Sequence, residues 1–173
     1  MKTTFLKTIA AAMMLVFLCG MYSCKKTTTP PPANPTPGTL TATVNGTTFT
    51  TPAYAQILVP GRLDIYPGVS TTDSLLVSIF IAGTSTGTYT LNSTQGSLQN
   101  GNEGEFYHSN ATNTSFTEYW TDTTHTGTVT ITKWDMTAKQ FSGTFSFNAV
   151  QFHPSATGAT VSVSGSFTNA LLQ

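Results

Sequence analysis

The chain has 173 residues, 39% of them hydrophobic and only 8% charged, with seven basic and seven acidic side chains and zero formal charge. Four of those cations, Lys2, Lys7, Lys25 and Lys26, lie near the N-terminus, so the rest of the chain holds Arg62, Lys133 and Lys139 against seven carboxylates. That leaves a formal charge of about −4, without the clustered cations that nucleic acid requires, and nucleic acid is excluded as a partner.

Lys2 and Lys7 flank the start of an apolar run, Ile9 to Cys19, eleven residues long. This length suits the hydrophobic part of an export signal and falls short of the roughly 20 residues that span a bilayer. In "MYSCKKTTTPPPANPTP", small Ser23 precedes Cys24 and Met21 stands three positions before it, where leucine is more usual. The stretch resembles a bacterial lipobox, in which the signal is cut just before a cysteine that carries lipid. Cys19 follows bulky Leu18 and departs with the signal, so Cys24 has no disulfide partner in the exported protein. The expected organisation is a signal peptide over 1–23, lipidated Cys24 with a tether over 24–39, and one domain over 40–173. Acyl chains on Cys24 would anchor the protein to the membrane at ~0.8 kcal/mol per buried methylene. Lys25 is not the aspartate associated with inner-membrane retention in enteric bacteria, which points to the outer membrane and leaves its side open. Residues 25–39 contain five prolines and no aromatic residue, the composition of an extended, semi-rigid spacer.

From residue 40 onward, apolar residues return at every second position. "LTATV" places Leu40, Ala42 and Val44 on one face, and Asn45-Gly46 then supplies a tight hairpin turn. "AYAQILVPGRLDIYP" reads as two strands broken at Pro60-Gly61, with a short helix near "TPAYAQIL" as an alternative for its first part. "DSLLVSIFIAG" predicts a central strand, and "GTYTLN" a short one. In "TGTVTITKWDMTAKQFSGTFSFNAVQF", Val129 and Ile131 alternate in the first arm and Phe141, Gly143, Phe145, Phe147 and Ala149 in the second. Asp135 to Lys139 connect these arms, and a last strand carries Val161, Val163 and Phe167 around Gly165. Threonine and serine fill the intervening positions, where they suit a pleated surface better than a helical turn. The expected fold is all-β, with eight or nine strands forming an antiparallel β-sandwich or a flattened barrel-like meander. Several strands are too short for a membrane barrel, whose strands need about 9–11 residues.

"ITKWD" at 131–135, "SGTFSF" at 142–147 and "SGSFTN" at 164–169 together resemble a family of uncharacterised β-rich lipoproteins common in Bacteroidota. The order of anchor, spacer, "TATVNGTTF" hairpin, "GTYTL" strand and final hairpin is similar across most of residues 40–173. The resemblance implies a lipid-anchored β domain of unknown function and carries no catalytic residues.

Three groups of residues are candidates for chemistry. Asn100, Asn102, Glu103 and Glu105 in "NGNEGEFYH" offer oxygens suited to calcium, although the spacing is not that of an EF-hand and a polar loop is the simpler reading. His125 and Asp122, with Glu118 nearby, are the residues a hydrolase would need; His108 and His153 lack close metal-ligand spacing. Tyr107, Tyr119 and Trp120 in "FYHSNATNTSFTEYW" are the candidate ligand-binding aromatics, beside Phe116, with core packing as their alternative. The expected function is a non-catalytic, lipid-anchored envelope module that binds a protein or glycan. The alternatives are a structural accessory lipoprotein and a carbohydrate-processing hydrolase. No cofactor is implied.

Overall fold

The computed structural model describes residues 35–173 except 60, 69–74, 84, 94–100, 110–114, 154 and 156. The signal segment, Cys24 and most of the tether therefore lie outside the described residues. Ten strands are described: β1 (Gly38–Val44), β2 (Thr47–Val59), β3 (Arg62–Pro67), β4 (Leu75–Ala82), β5 (Gly87–Leu91), β6 (Glu103–Ser109), β7 (Phe116–Trp120), β8 (Gly127–Asp135), β9 (Gln140–His153) and β10 (Thr160–Leu172). No helix occurs among the described residues. "TPAYAQIL" is part of β2, because Ala53 and Ala55 bury fully while Pro52, Tyr54 and Gln56 take the other face. That is period two. "EGEFYHS", expected as loop, is strand β6, paired with β4 on one side and β7 on the other.

All ten strands belong to one sheet, and its hydrogen bonds close on themselves. From β2 they pass through β3, β4, β6, β7, β9 and β10 and return to β2. β1 bridges β10 and β2 along most of that last junction, and β8 with β5 extends from the same edge of β9 that β7 uses further along. The pairing is antiparallel except where Leu171 and Leu172 run parallel to Tyr54 and Ala55. A barrel-like meander results. Closure hides edges that would otherwise invite pairing with other chains.

Local chemistry sets the turns that make this register possible. Asn45 and Gly46 both take positive φ, +46° and +85°, as a two-residue hairpin requires. Asn45 also accepts the Ser162 N–H at 3.1 Å and donates its own N–H to the Ser162 carbonyl, tying the β1–β2 turn to β10. Near the other end of β10, Asn169 at φ +51° marks a register shift between Phe167 and Ala170. There β10 bends from β1 toward β2.

The interior is one apolar cluster drawn from every strand except β7, onto which Tyr119 packs. Phe141 and Phe167, both below 2% exposed, are its largest fully buried side chains. The "SGTFSF" and "SGSFTN" motifs pair reciprocally across β9 and β10: Gly143 faces Phe167, and Gly165 faces Phe145. Each ring lies over the glycine of the neighbouring strand, where a methyl group would collide with it. The repeated motif is thus one interlock with two halves.

Candidate functional site

Strand parity sends Leu63 and Ile65 of β3, Val77, Ile79 and Ile81 of β4, and Phe106 of β6 inward. The alternate positions form the outer wall, and here they carry chemistry. Register aligns Gln56, Asp64, Phe80 and Glu103 in one row across β2, β3, β4 and β6, and Ser78, Glu105 and Trp120 in the next across β4, β6 and β7. Arg62 donates to Glu103 Oε2 at 3.0 Å with side chains 3% and 1% exposed, and its guanidinium lies 4.5 Å from the centre of the Phe80 ring. Phe80 in turn stacks on Trp120 with centroids 5.9 Å apart. This outer wall therefore holds a second packed layer built around an ion pair.

Carboxylates crowd beside that pair. Asp64 is buried, accepts Gln56 Nε2 at 2.8 Å, and is raised to about 6 by desolvation, against the lowering effects of Gln56 and Arg62. Glu105 is pushed up to about 8, first by desolvation, then by the charges of Glu118 and Asp64. Burial, then Asp64 and Tyr54, also raise the Tyr66 phenol. At neutral pH Glu105 keeps its proton, so the wall is less anionic than its composition suggests.

Both raised acids hold protons in the folded state that the unfolded chain has lost. Their favourable contribution is complete below the ordinary carboxylate range and disappears as pH rises through about 6 for Asp64 and about 8 for Glu105. The domain is expected to melt at a lower temperature at alkaline pH than at mildly acid pH. Glu105→Gln should remove the upper part of that decline and stabilise the alkaline form by roughly 2–4 kcal/mol, after allowance for residual screening. Thermal melts across the range check this, and an unchanged alkaline slope in the variant would contradict it.

The residues singled out in the sequence occupy different environments. Trp120 is only 7% exposed, with its indole N–H buried and unpartnered among the described residues, so it presents no face for a ligand to stack on. Tyr119 lies on the inward parity, packed against Phe106 at 5.8 Å. Tyr107 stays on the outer wall, stacked on Phe116 at 5.3 Å, and Phe116 stacks on His153 at 4.1 Å. The three expected aromatics thus form no common platform, because a strand sends consecutive side chains to opposite faces.

Of the calcium candidates, Asn100 lies outside the described residues. Asn102 accepts the Ala82 N–H at 2.8 Å and donates to the Thr90 carbonyl at 3.0 Å, while Glu103 is paired with Arg62. Glu105 sits on β6 beside Trp120 and Glu118. Among the described residues, no group of three or more His, Cys, Asp or Glu is placed to hold a metal ion. His125 Nδ1 lies 3.0 Å from Asp122 Oδ1. Desolvation opposes the charge on Asp122, but hydrogen bonds from the backbone and ring of His125 and from the Thr124 N–H hold the carboxyl below its usual range. These bonds close a tight turn after β7 and give the pair a structural role.

One surface concavity lies elsewhere on the outer wall. Thr50, Thr51, Pro52 and Tyr54 of β2, Tyr66 and Pro67 of β3, Gly68 and Gln173 line an open groove of ≈ 550 Å³. Tyr54 and Tyr66 face each other across the β2–β3 register with centroids 6.1 Å apart and planes 26° from parallel. Thr51 Oγ1 donates to the Gly68 carbonyl at 3.2 Å, and the Gly68 N–H donates to Pro52 at 2.7 Å, fixing one rim. The sequence signal for this site was the alternation of Tyr54 with Ala53 and Ala55, and of Tyr66 with Ile65 and Pro67.

Residues 36–170 match the model of a domain of unknown function, DUF6252. The chain belongs to the DUF6252 family. No curated protein and no solved structure matches it. The DUF6252 match begins two residues before β1 and ends within β10, so it covers the carboxylate wall and the aromatic groove except Gln173, and stops just short of Leu171 and Leu172, which pair with β2. Membership agrees with the expectation of a family of unknown function and brings no activity with it. Site arguments for this DUF6252 domain rest on its own geometry.

Proposed function

We propose that this protein is a non-catalytic, lipid-anchored module of the bacterial cell envelope, most consistent with the outer membrane, that binds a neutral glycan in the Tyr54–Tyr66 groove. The groove carries the reading: two nearly parallel phenol rings on a rigid pair of strands, rimmed by the hydroxyls of Thr50 and Thr51 and the amide of Gln173. Aromatic faces pack on the C–H faces of sugar rings, and the hydroxyl and amide groups suit sugar hydroxyls. Among the described residues no cation lines the groove, and Asp64 stands beside Tyr66, which disfavours an anionic ligand. The address rests on the lipobox-like stretch ending at Cys24 and on the proline-rich tether that follows it.

Two measurements test the two parts. Labelled fatty acid should enter the wild type and be absent from Cys24→Ala; retention of label in the variant would reject the anchor. Calorimetric titration with a panel of neutral polysaccharides should show saturable binding that Tyr54→Ala and Tyr66→Ala each weaken by about tenfold, the equivalent of ~1.4 kcal/mol. Binding that both variants leave intact would reject the groove. A panel with no saturable binding at all would favour a structural accessory lipoprotein.

A further inference from the structure

The apolar side chains that the fold leaves exposed are unevenly distributed. Ile57 (44% exposed), Leu58 (47%) and Met136 (49%) lie at the end of the barrel formed by the β2–β3 and β8–β9 turns. Phe152, also exposed, lies toward the opposite end, where β9 finishes. Ile57 and Met136 share an apolar cleft of ≈ 270 Å³ with Leu63 and Trp134. Lys133 and Lys139 belong to the same end; Lys133 is bonded to Gln140 and Asn169, and the Lys139 carbonyl accepts the Leu172 N–H. Asp135 is also there, with an oxygen occupied by the Ala138 N–H, and Arg62 lines the cleft while buried against Glu103.

β1 starts toward this end and runs away from it to the β1–β2 turn. Gly38, the first residue of β1, pairs with Ala53, and a side chain at its position would strike the Thr168 and Asn169 carbonyls. Asn169 is the residue that holds Lys133. The described chain therefore enters the sheet at Gly38, next to the residue that holds Lys133, and its partner Ala53 lies four residues before Ile57 on β2. At ~3.1 Å per residue, a proline-rich tether running from Cys24 would be long enough to let this end touch the membrane.

We propose that the Ile57, Leu58 and Met136 end of the barrel rests on the lipid surface to which Cys24 is anchored, an inference built on the lipid-anchor reading above. Apolar side chains enter the headgroup boundary, the partly buried Trp134 ring suits that depth, and Lys133 and Lys139 favour anionic headgroups. Tethering then sets orientation as well as location. With this end down, the Tyr54–Tyr66 groove on the side wall opens parallel to the membrane plane.

The test uses the mature lipoprotein in vesicles of phosphatidylethanolamine and phosphatidylglycerol. The environment-sensitive fluorophore NBD is attached through Met136→Cys or, as a control at the opposite end, Phe152→Cys. Both positions are exposed, so the fold tolerates the label. Dithionite should bleach the Met136 label several-fold more slowly than the Phe152 label, and adding Ile57→Asp and Leu58→Asp should abolish that protection while the protein stays on the vesicles. Equal bleaching at both ends would overturn the proposal, as would protection that grows with protein-to-lipid ratio, the mark of a second copy covering the patch. Mass spectrometry of the N-terminal peptide reports the anchor independently. Should it carry no acyl mass, the same bleaching comparison with added vesicles decides docking by itself: protection upholds it and none overturns it.

Discussion

Replacing Arg62 with alanine is expected to destabilise the domain by about 3–5 kcal/mol, because it removes the Arg62 counter-charge from the Glu103 carboxylate in a site with almost no water. Both side chains are nearly inaccessible, their nitrogen and oxygen are 3.0 Å apart, and the guanidinium also covers Phe80. The substitution thus removes a counter-charge and a cation–π contact and leaves a void beside Phe80. Urea unfolding followed by near-ultraviolet circular dichroism measures the cost. Arg62→Met combined with Glu103→Leu is expected to recover most of it, since apolar residues of similar volume need no counter-charge in that layer. A double variant as unstable as Arg62→Ala would show that packing, rather than uncompensated charge, is what the pair supplies.

The second large effect concerns the interlocked glycines. A methyl group at Gly143 would lie 2.4 Å from the Thr130 carbonyl oxygen and 2.7 Å from Phe167 Cζ. At Gly165 it would lie 2.1 Å from the Thr41 oxygen and 2.7 Å from Phe145 Cζ. A ring can rotate away, whereas a carbonyl in a sheet ladder cannot move without breaking its pairing. Gly143→Ala and Gly165→Ala are each expected to cost about 3 kcal/mol, at the upper end of overpacking effects. Gly158→Ala is the control: its φ is +75° with nothing nearby, so only the backbone term of about 1 kcal/mol applies. Pairing Gly165→Ala with Phe145→Ala should give less than the sum of the two, because the residues share one contact. Full additivity would contradict the interlock.

Much of this fold was legible in the chain because strand parity is a local property. Leu40 and Ala42, Val129 and Ile131, and Phe141 through Ala149 bury on the side their alternation assigns. Asn45-Gly46 makes its hairpin because only that dihedral pair is needed and both residues accept it. The helix alternative at "TPAYAQIL" lost to the closed sheet, which hydrogen-bonds that segment to β1, β3 and β10. The stretch around Glu103 was harder to read, since its glycines suggest a loop. Gly104 instead makes room for the Phe147 ring, 2.9 Å from where its Cβ would lie.

Sites were less legible than strands, and the aromatic group shows the reason. Tyr107, Tyr119 and Trp120 are close in sequence, but they divide among the outer stack, the core and the layer over Arg62. Tyr54 and Tyr66, twelve residues apart, meet because a hairpin pairs them. The chain by itself determined that the domain would be all-β, which residues would share a face, and where the turns would bend, because each depends on neighbours in sequence. Tertiary structure alone decided that Arg62 would find Glu103 across 41 residues, that Gly143 would lie under Phe167, and that Ile57 and Met136 would share one cleft. Those outcomes depend on the order and register in which strands pair around the barrel, and no local pattern of residues encodes that order.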